Sequence, residues 1–130
     1  MASIMVIDDD IQVRTILREM LEGDGHEVRE AGNGSDGIKA FRKRSADLVL
    51  CDIFMPEKEG LQTIREMHDE FGRVKIVAMT GGHPQFRQVD VLHLAKKCGA
   101  VAALHKPIER RTLVDTLEEI LAGEMVGVEI

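Results

Sequence analysis

Along the chain, short apolar runs alternate with longer stretches in which apolar residues recur every three or four positions. SIMVI (3–7) reads as a strand. IQVRTILREMLEG (11–23) follows as a helix, with Ile11, Ile16, Leu17, Met20 and Leu21 as its apolar stripe and Gly23 as its stop. HEVREA (26–31) is a weaker strand, and GSDGIKAFRKR (34–44) a second helix with Ser35 or Asp36 near its cap. ADLVLC (46–51) reads as a strand apolar on both faces from Leu48 to Cys51, as a central parallel strand should be. GLQTIREMHDEF (60–71) places Leu61, Ile64, Met67 and Phe71 on one helical face. VKIVAM (74–79) is another buried strand, and the Gly-Gly and His-Pro pairs of TGGHPQFR mark a loop. QVDVLHLAKKCG (88–99) is helical, AVAALH (100–105) a short strand, and ERRTLVDTLEEILAG (109–123) a closing amphipathic helix. The last residues, EMVGVEI (124–130), show no period and are expected to form a short tail on a single domain spanning 1–123.

Five strand–helix units in a row imply a parallel sheet whose crossovers are right-handed and whose two faces carry helices. The expectation is a doubly wound α/β fold with flavodoxin-like strand order 2-1-3-4-5 and five flanking helices. In such sheets ligands bind beyond the carboxyl ends of the strands, at the switch point between the first and third. Those ends therefore deserve to be read on their own. The first strand ends in Asp8, Asp9 and Asp10, the third in Asp52, the fourth in Thr80, and the fifth in Lys106 followed by Pro107. The second ends in Ala31 and Gly32, with no ionisable group.

Each of these residues has an ordinary explanation. Asp10 reads as the N-cap of the first helix, Asp8 or Asp9 as support for it, Thr80 as a turn residue and Lys106 as a solvated lysine. Asp52, in LVLCDIFMPEKEG (48–60), reads either as a turn residue or as a nucleophile or metal ligand. Jointly the residues form a chemical set. Clustered carboxylates repel one another and lose hydration, and a hard divalent cation with oxygen ligands, Mg2+ best of all, resolves that conflict. A carboxylate can attack phosphorus to give an aspartyl phosphate. The transferred phosphoryl group then needs a metal, a cationic side chain and hydroxyl donors, which Mg2+, Lys106 and Thr80 would supply.

Composition narrows the partners. The 130 residues carry a formal charge of −6, whereas a nucleic-acid-binding surface needs a basic face. Tyr and Trp are missing altogether, which weakens any base-stacking role. No apolar run approaches the length of a membrane span, and MASIMVIDDD turns acidic too early for a secretory signal. The two cysteines, Cys51 and Cys98, have no metal or redox spacing and suit a reducing cytoplasm.

With VIDDDIQVR (6–14), LVLCDIFMPEKEG (48–60), KIVAMTG (75–81) and HKPI (105–108) in view, the sequence resembles the receiver domain of two-component response regulators from about Ser3 to Gly123. By that resemblance Asp52 is the phosphoacceptor. Asp9 is the direct acidic Mg2+ ligand, joined by Asp52 and the backbone carbonyl of Phe54, and Asp8 acts through metal-bound water. Mn2+ is a possible substitute ion. Thr80 and Lys106 contact the phosphoryl oxygens. The phosphodonor implied is a histidine kinase or histidine phosphotransfer protein, and the output a switched contact with a downstream protein, without direct nucleic-acid binding or membrane insertion. The resemblance implies a cytoplasmic, stand-alone receiver that catalyses its own phosphotransfer and dephosphorylation and is not an enzyme in the ordinary sense.

The chain departs from the family pattern in three places. Ala103 stands three residues before the lysine, where many receivers have an aromatic residue. The segment from Thr80 to Gly99 is several residues longer than usual, and Phe86 within it reads first as simple core packing and second as a substitute for that aromatic. Phe54 and Gly82, each two residues past a site residue, stand at positions that flank the path of hydrolytic water in the family. Two other readings differ in kind: a phosphorylation-independent pseudo-receiver adaptor, and a haloacid-dehalogenase-like phosphatase. The phosphatase would ordinarily have a second aspartate where Phe54 stands.

Overall fold

The structure, a computed structural model, describes residues 1–55, 60–81 and 87–123. Five parallel strands, β1 (Ser3–Ile7), β2 (Glu27–Ala31), β3 (Leu48–Asp52), β4 (Ile76–Thr80) and β5 (Ala102–His105), form one sheet in the order β2-β1-β3-β4-β5. Between and after them run α1 (Ile11–Gly23), α2 (Gly34–Lys43), α3 (Gly60–Phe71), α4 (Gln88–Cys98) and α5 (Arg110–Leu121). The doubly wound order expected from the alternation is the order observed. Strand bounds differ from the apolar runs by one or two residues, with β3 and β4 extending one residue further to include Asp52 and Thr80.

The period-two geometry of a strand explains why the central runs are apolar throughout. Ile4 and Val6 of β1, Leu48 and Leu50 of β3, and Val77 and Met79 of β4 join Leu17 and Leu21 of α1 and Leu113, Leu117 and Ile120 of α5 in one core. The alternate residues, among them Met5, Ile7, Val49, Cys51, Ile76 and Ala78, face α2, α3 and α4 in a second core. Each fully buried aliphatic side chain contributes roughly 1.5–3 kcal/mol, so both layers hold the sheet against its helices.

Three details depart from the sequence expectation. The cap of α2 is Asn33, not Ser35 or Asp36: its Oδ1 accepts from the Asp36 N–H at 2.8 Å, and its Nδ2 donates to the Asp36 carboxylate at 3.0 Å. Ile11 and Ile16 lie 65% and 52% exposed, because the inward face of α1 runs through Leu17 and Leu21. The closing helix stops at Leu121, before Gly123 takes φ of 85°. Pro56, Gly82, Phe86 and the tail 124–130 lie outside the described residues. Among the described residues, no helix is long and apolar enough to cross a membrane.

Candidate functional site

Parallel register places the carboxyl ends of all five strands on one edge of the sheet, so residues far apart in sequence meet there. Asp8 follows β1 directly and is fully buried, with its N–H still donating to the Ala31 carbonyl of β2 at 3.1 Å. One oxygen of its carboxylate accepts from the Asp10 N–H at 2.9 Å. Asp10 turns the chain into α1: its Oδ1 accepts from the Gln12 and Val13 N–H groups at 2.8 and 3.4 Å, so it is the helix cap its position suggests. Asp9, between them, is exposed.

Asp52 closes β3 and is 4% exposed. Carboxylate oxygens of Asp8, Asp9 and Asp52 all lie within 4.8 Å of one another. Lys106, one residue past β5, reaches into this group. Its Nζ stands 2.7 Å from Asp8 Oδ2 and 3.1 Å from Asp52 Oδ1. The peptide between Lys106 and Pro107 is cis. Thr80, at the end of β4, is fully buried, and its carbonyl accepts from the Lys106 N–H at 2.7 Å. The structure thus brings Asp8, Asp9, Asp52 and Lys106 into one cluster and ties Thr80 to it through the backbone of Lys106. Phe54 stands two residues beyond Asp52, half-buried, its side chain packed against the core under α2 to α4; Ala103 packs there too.

The electrostatics follow from burial. Desolvation, reinforced by the negative charge of Asp8, pushes the Asp52 carboxyl up to about 6, even though Lys106 pulls it down. Burial works against the charge on Lys106, but its hydrogen bond to Asp8 and the fields of Asp52 and Asp8 outweigh that cost, and its pKa rises. Cys51, buried beside Asp52, has its thiol pushed far above its ordinary range by desolvation, which leaves it a core residue and not a nucleophile. Three carboxyl groups share a single ammonium in a pocket closed off at Asp8 and Asp52 and open to solvent at Asp9. The donor set is all oxygen, which fits Mg2+ and suits neither zinc nor copper.

Nothing in the hydrophobic pattern marks Arg14, yet it belongs to this neighbourhood. Its Nη1 donates to the Asp8 carbonyl at 2.7 Å while its Nε pairs with Glu30 at 3.0 Å. Its hints in sequence were its place one helical turn after Asp10 and its position as the last residue of VIDDDIQVR (6–14).

Residues 4–118 match the response regulator receiver domain family. Over 119 residues the chain is 39% identical to the transcriptional regulatory protein ZraR of Klebsiella oxytoca, covering 92% of this chain and 26% of ZraR, so it spans about a quarter of that relative's length. It is 34% identical to Protein PilH of Pseudomonas aeruginosa over 125 residues, which cover 95% of this chain and 100% of PilH. The crystal structure of a response regulator receiver domain protein from Clostridium thermocellum superposes with a TM-score of 0.85 at 30% identity, covering 95% of this chain and 96% of that one. A strand order shared with such structures, an acidic cluster at the switch point and a family match over nearly the full length converge: this chain belongs to the receiver domains of two-component response regulators.

Proposed function

We propose that the chain is a phosphorylation-controlled signalling module in which Asp52 accepts a phosphoryl group from a histidine kinase or histidine phosphotransfer protein. The observation that carries this reading is the placement of the Lys106 ammonium against both Asp8 and Asp52, with Asp9 in the same cluster. An Asp52 oxygen forms the new bond to phosphorus as the P–N bond of the donor phosphohistidine breaks, and the imidazole leaves with that electron pair and takes up a proton. Lys106 would then move from neutralising the free carboxylate to holding a phosphoryl oxygen, and the Thr80 hydroxyl would hold another. Asp9, Asp52 and the Phe54 carbonyl would bind Mg2+ directly and Asp8 through water, with Mn2+ as a substitute. The ion supplies charge compensation for the oxygens gathered on phosphorus. The reading places the module in the cytoplasm, with a downstream protein as its target. Mass measurement after incubation with Mg2+ and acetyl phosphate tests it; a chain that takes up no phosphoryl group from that donor or from a kinase would instead be a phosphorylation-independent adaptor.

The exposed Ile16 supports a protein donor. With Val13, Leu17, Pro107 and Ile108 it lines an apolar groove of about 130 Å³ that runs up to Lys106. An apolar rim beside a charged site is where a partner can bury area while presenting its histidine. Ile16→Arg is expected to slow transfer from a phosphohistidine protein roughly tenfold while leaving acetyl phosphate labelling unchanged. Equal slowing with both donors would place the defect in the site itself and remove the groove from the donor interface.

Phe54 bears on signal lifetime. The half-buried ring two residues past Asp52 would leave less room for water at the acyl phosphate than a small polar side chain, so Phe54→Asn is expected to lose the phosphoryl group severalfold faster. A decay rate no faster than that of the unsubstituted protein would sink this reading.

A further inference from the structure

We propose that Arg14 is a positioning residue for the acidic site, holding the peptide bond that joins Asp8 to Asp9. The inference rests on the reading of that site as a divalent-metal centre.

The sheet stops supporting β1 one atom group too early. Asp8 still donates its N–H to Ala31, the last residue of β2, but β2 ends there and the chain turns through Gly32 to the Asn33 cap of α2. The Asp8 carbonyl therefore has no strand to accept from, although the residue that carries it is fully buried. Arg14 supplies the donor from the second turn of α1, at 2.7 Å. Its guanidinium is itself anchored, since Nε pairs with Glu30 Oε1 at 3.0 Å and the other Glu30 oxygen takes Arg18 Nε at 2.6 Å. The side chain is 16% exposed and lies across Gly32, where an added Cβ would stand 3.5 Å from Nη1.

The consequence lies in which peptide is held. The Asp8 carbonyl belongs to the amide between the two acids, so rotating that amide re-aims Asp8 and Asp9 together. A buried carbonyl that loses its donor carries an unmet desolvation cost, which favours rotating that amide toward water. Arg14 would thus set the metal-facing acids without touching the metal, as outer residues of metal sites do.

Mn2+ binding followed by the electron paramagnetic resonance signal of the free ion tests this without any phosphoryl transfer. Arg14→Met is expected to weaken Mn2+ binding roughly tenfold, and Arg18→Met, which removes only the outer arm of Glu30, to leave it within about twofold. Arg14→Lys keeps the charge and loses the two-pronged reach, so it should fall between them; it carries the same readout should the methionine variant fail to fold by circular dichroism. If Arg14→Met and Arg14→Lys lower the melting temperature but bind Mn2+ as the unsubstituted protein does, Arg14 is only a staple between α1 and β2 and the inference is wrong. If the unsubstituted protein binds no Mn2+, the metal-site reading falls first and this inference with it.

Discussion

Asp52→Ala is expected to abolish the Mg2+-dependent labelling by acetyl phosphate proposed for this site, and to make the metal-free fold more stable at neutral pH. The first effect is total because no other described residue combines the position of Asp52 with its chemistry. Asp8 is locked to Lys106 and the Asp10 N–H, and Asp9 is exposed. Intact mass would read it, and an adduct that persists in the variant would relocate the acceptor. The second effect follows from burial. The Asp52 carboxyl is raised from 3.8 to about 6, so its ionised form is disfavoured in the fold. That contribution favours the folded state fully below pH 3.8 and is lost as pH rises through about 6, on the order of 2–3 kcal/mol. Metal-free protein should therefore melt higher near pH 4 than near pH 7 so far as this group is concerned, and Asp52→Ala should flatten that slope. A slope unchanged by the substitution would mean that Asp52 titrates normally.

Gly60→Ala is expected to damage the same site from behind. Gly60 opens α3 with its N–H donating to the Ile53 carbonyl at 2.8 Å. A Cβ there would collide with the Asp52 carbonyl oxygen and stand 2.5 Å from the Ile53 Cα. Both obstacles are backbone, so no side-chain rotation relieves them, and either α3 or the Asp52–Ile53 peptide must shift. A loss of roughly 2–4 kcal/mol is expected from that overpacking, with labelling of Asp52 slowed even at temperatures where the variant is folded. Melting by circular dichroism together with the labelling rate would check both parts. A variant that melts and labels like the original would show that the approach of α3 to β3 is looser than the geometry indicates.

How far the sequence reveals this molecule depends on how local the cause is. The strand order and the membership of Asp8, Asp9, Asp52 and Lys106 in one cluster were legible, because topology alone brings those strand ends together. Asp10 as a cap was legible because capping is settled within three residues. Asn33 was not, since Asn33, Ser35 and Asp36 stand close together as candidate caps and only backbone geometry chooses among them. Ile11 and Ile16 fit the helical period but sit to the side of the stripe that faces the sheet, and the orientation of a helix about its axis is fixed by packing. Arg14 was hidden for a related reason: a long polar side chain reaching back to a carbonyl leaves no trace in periodicity. Gly60 was legible as the start of the third helix but not as a point of contact between two backbones.

The bond between Lys106 and Asp8 joins positions 98 apart, and this gives the fold a temporal property. Synthesis delivers the N-terminal end first. A nascent chain grown through α4 already holds every acid of the cluster, but not the ammonium that balances them or the strand that carries it. Non-local pairings of this kind come late in folding. A product truncated before β5 would therefore hold the acids without their ammonium, and the charge balance of the cluster is complete only once Lys106 has been made.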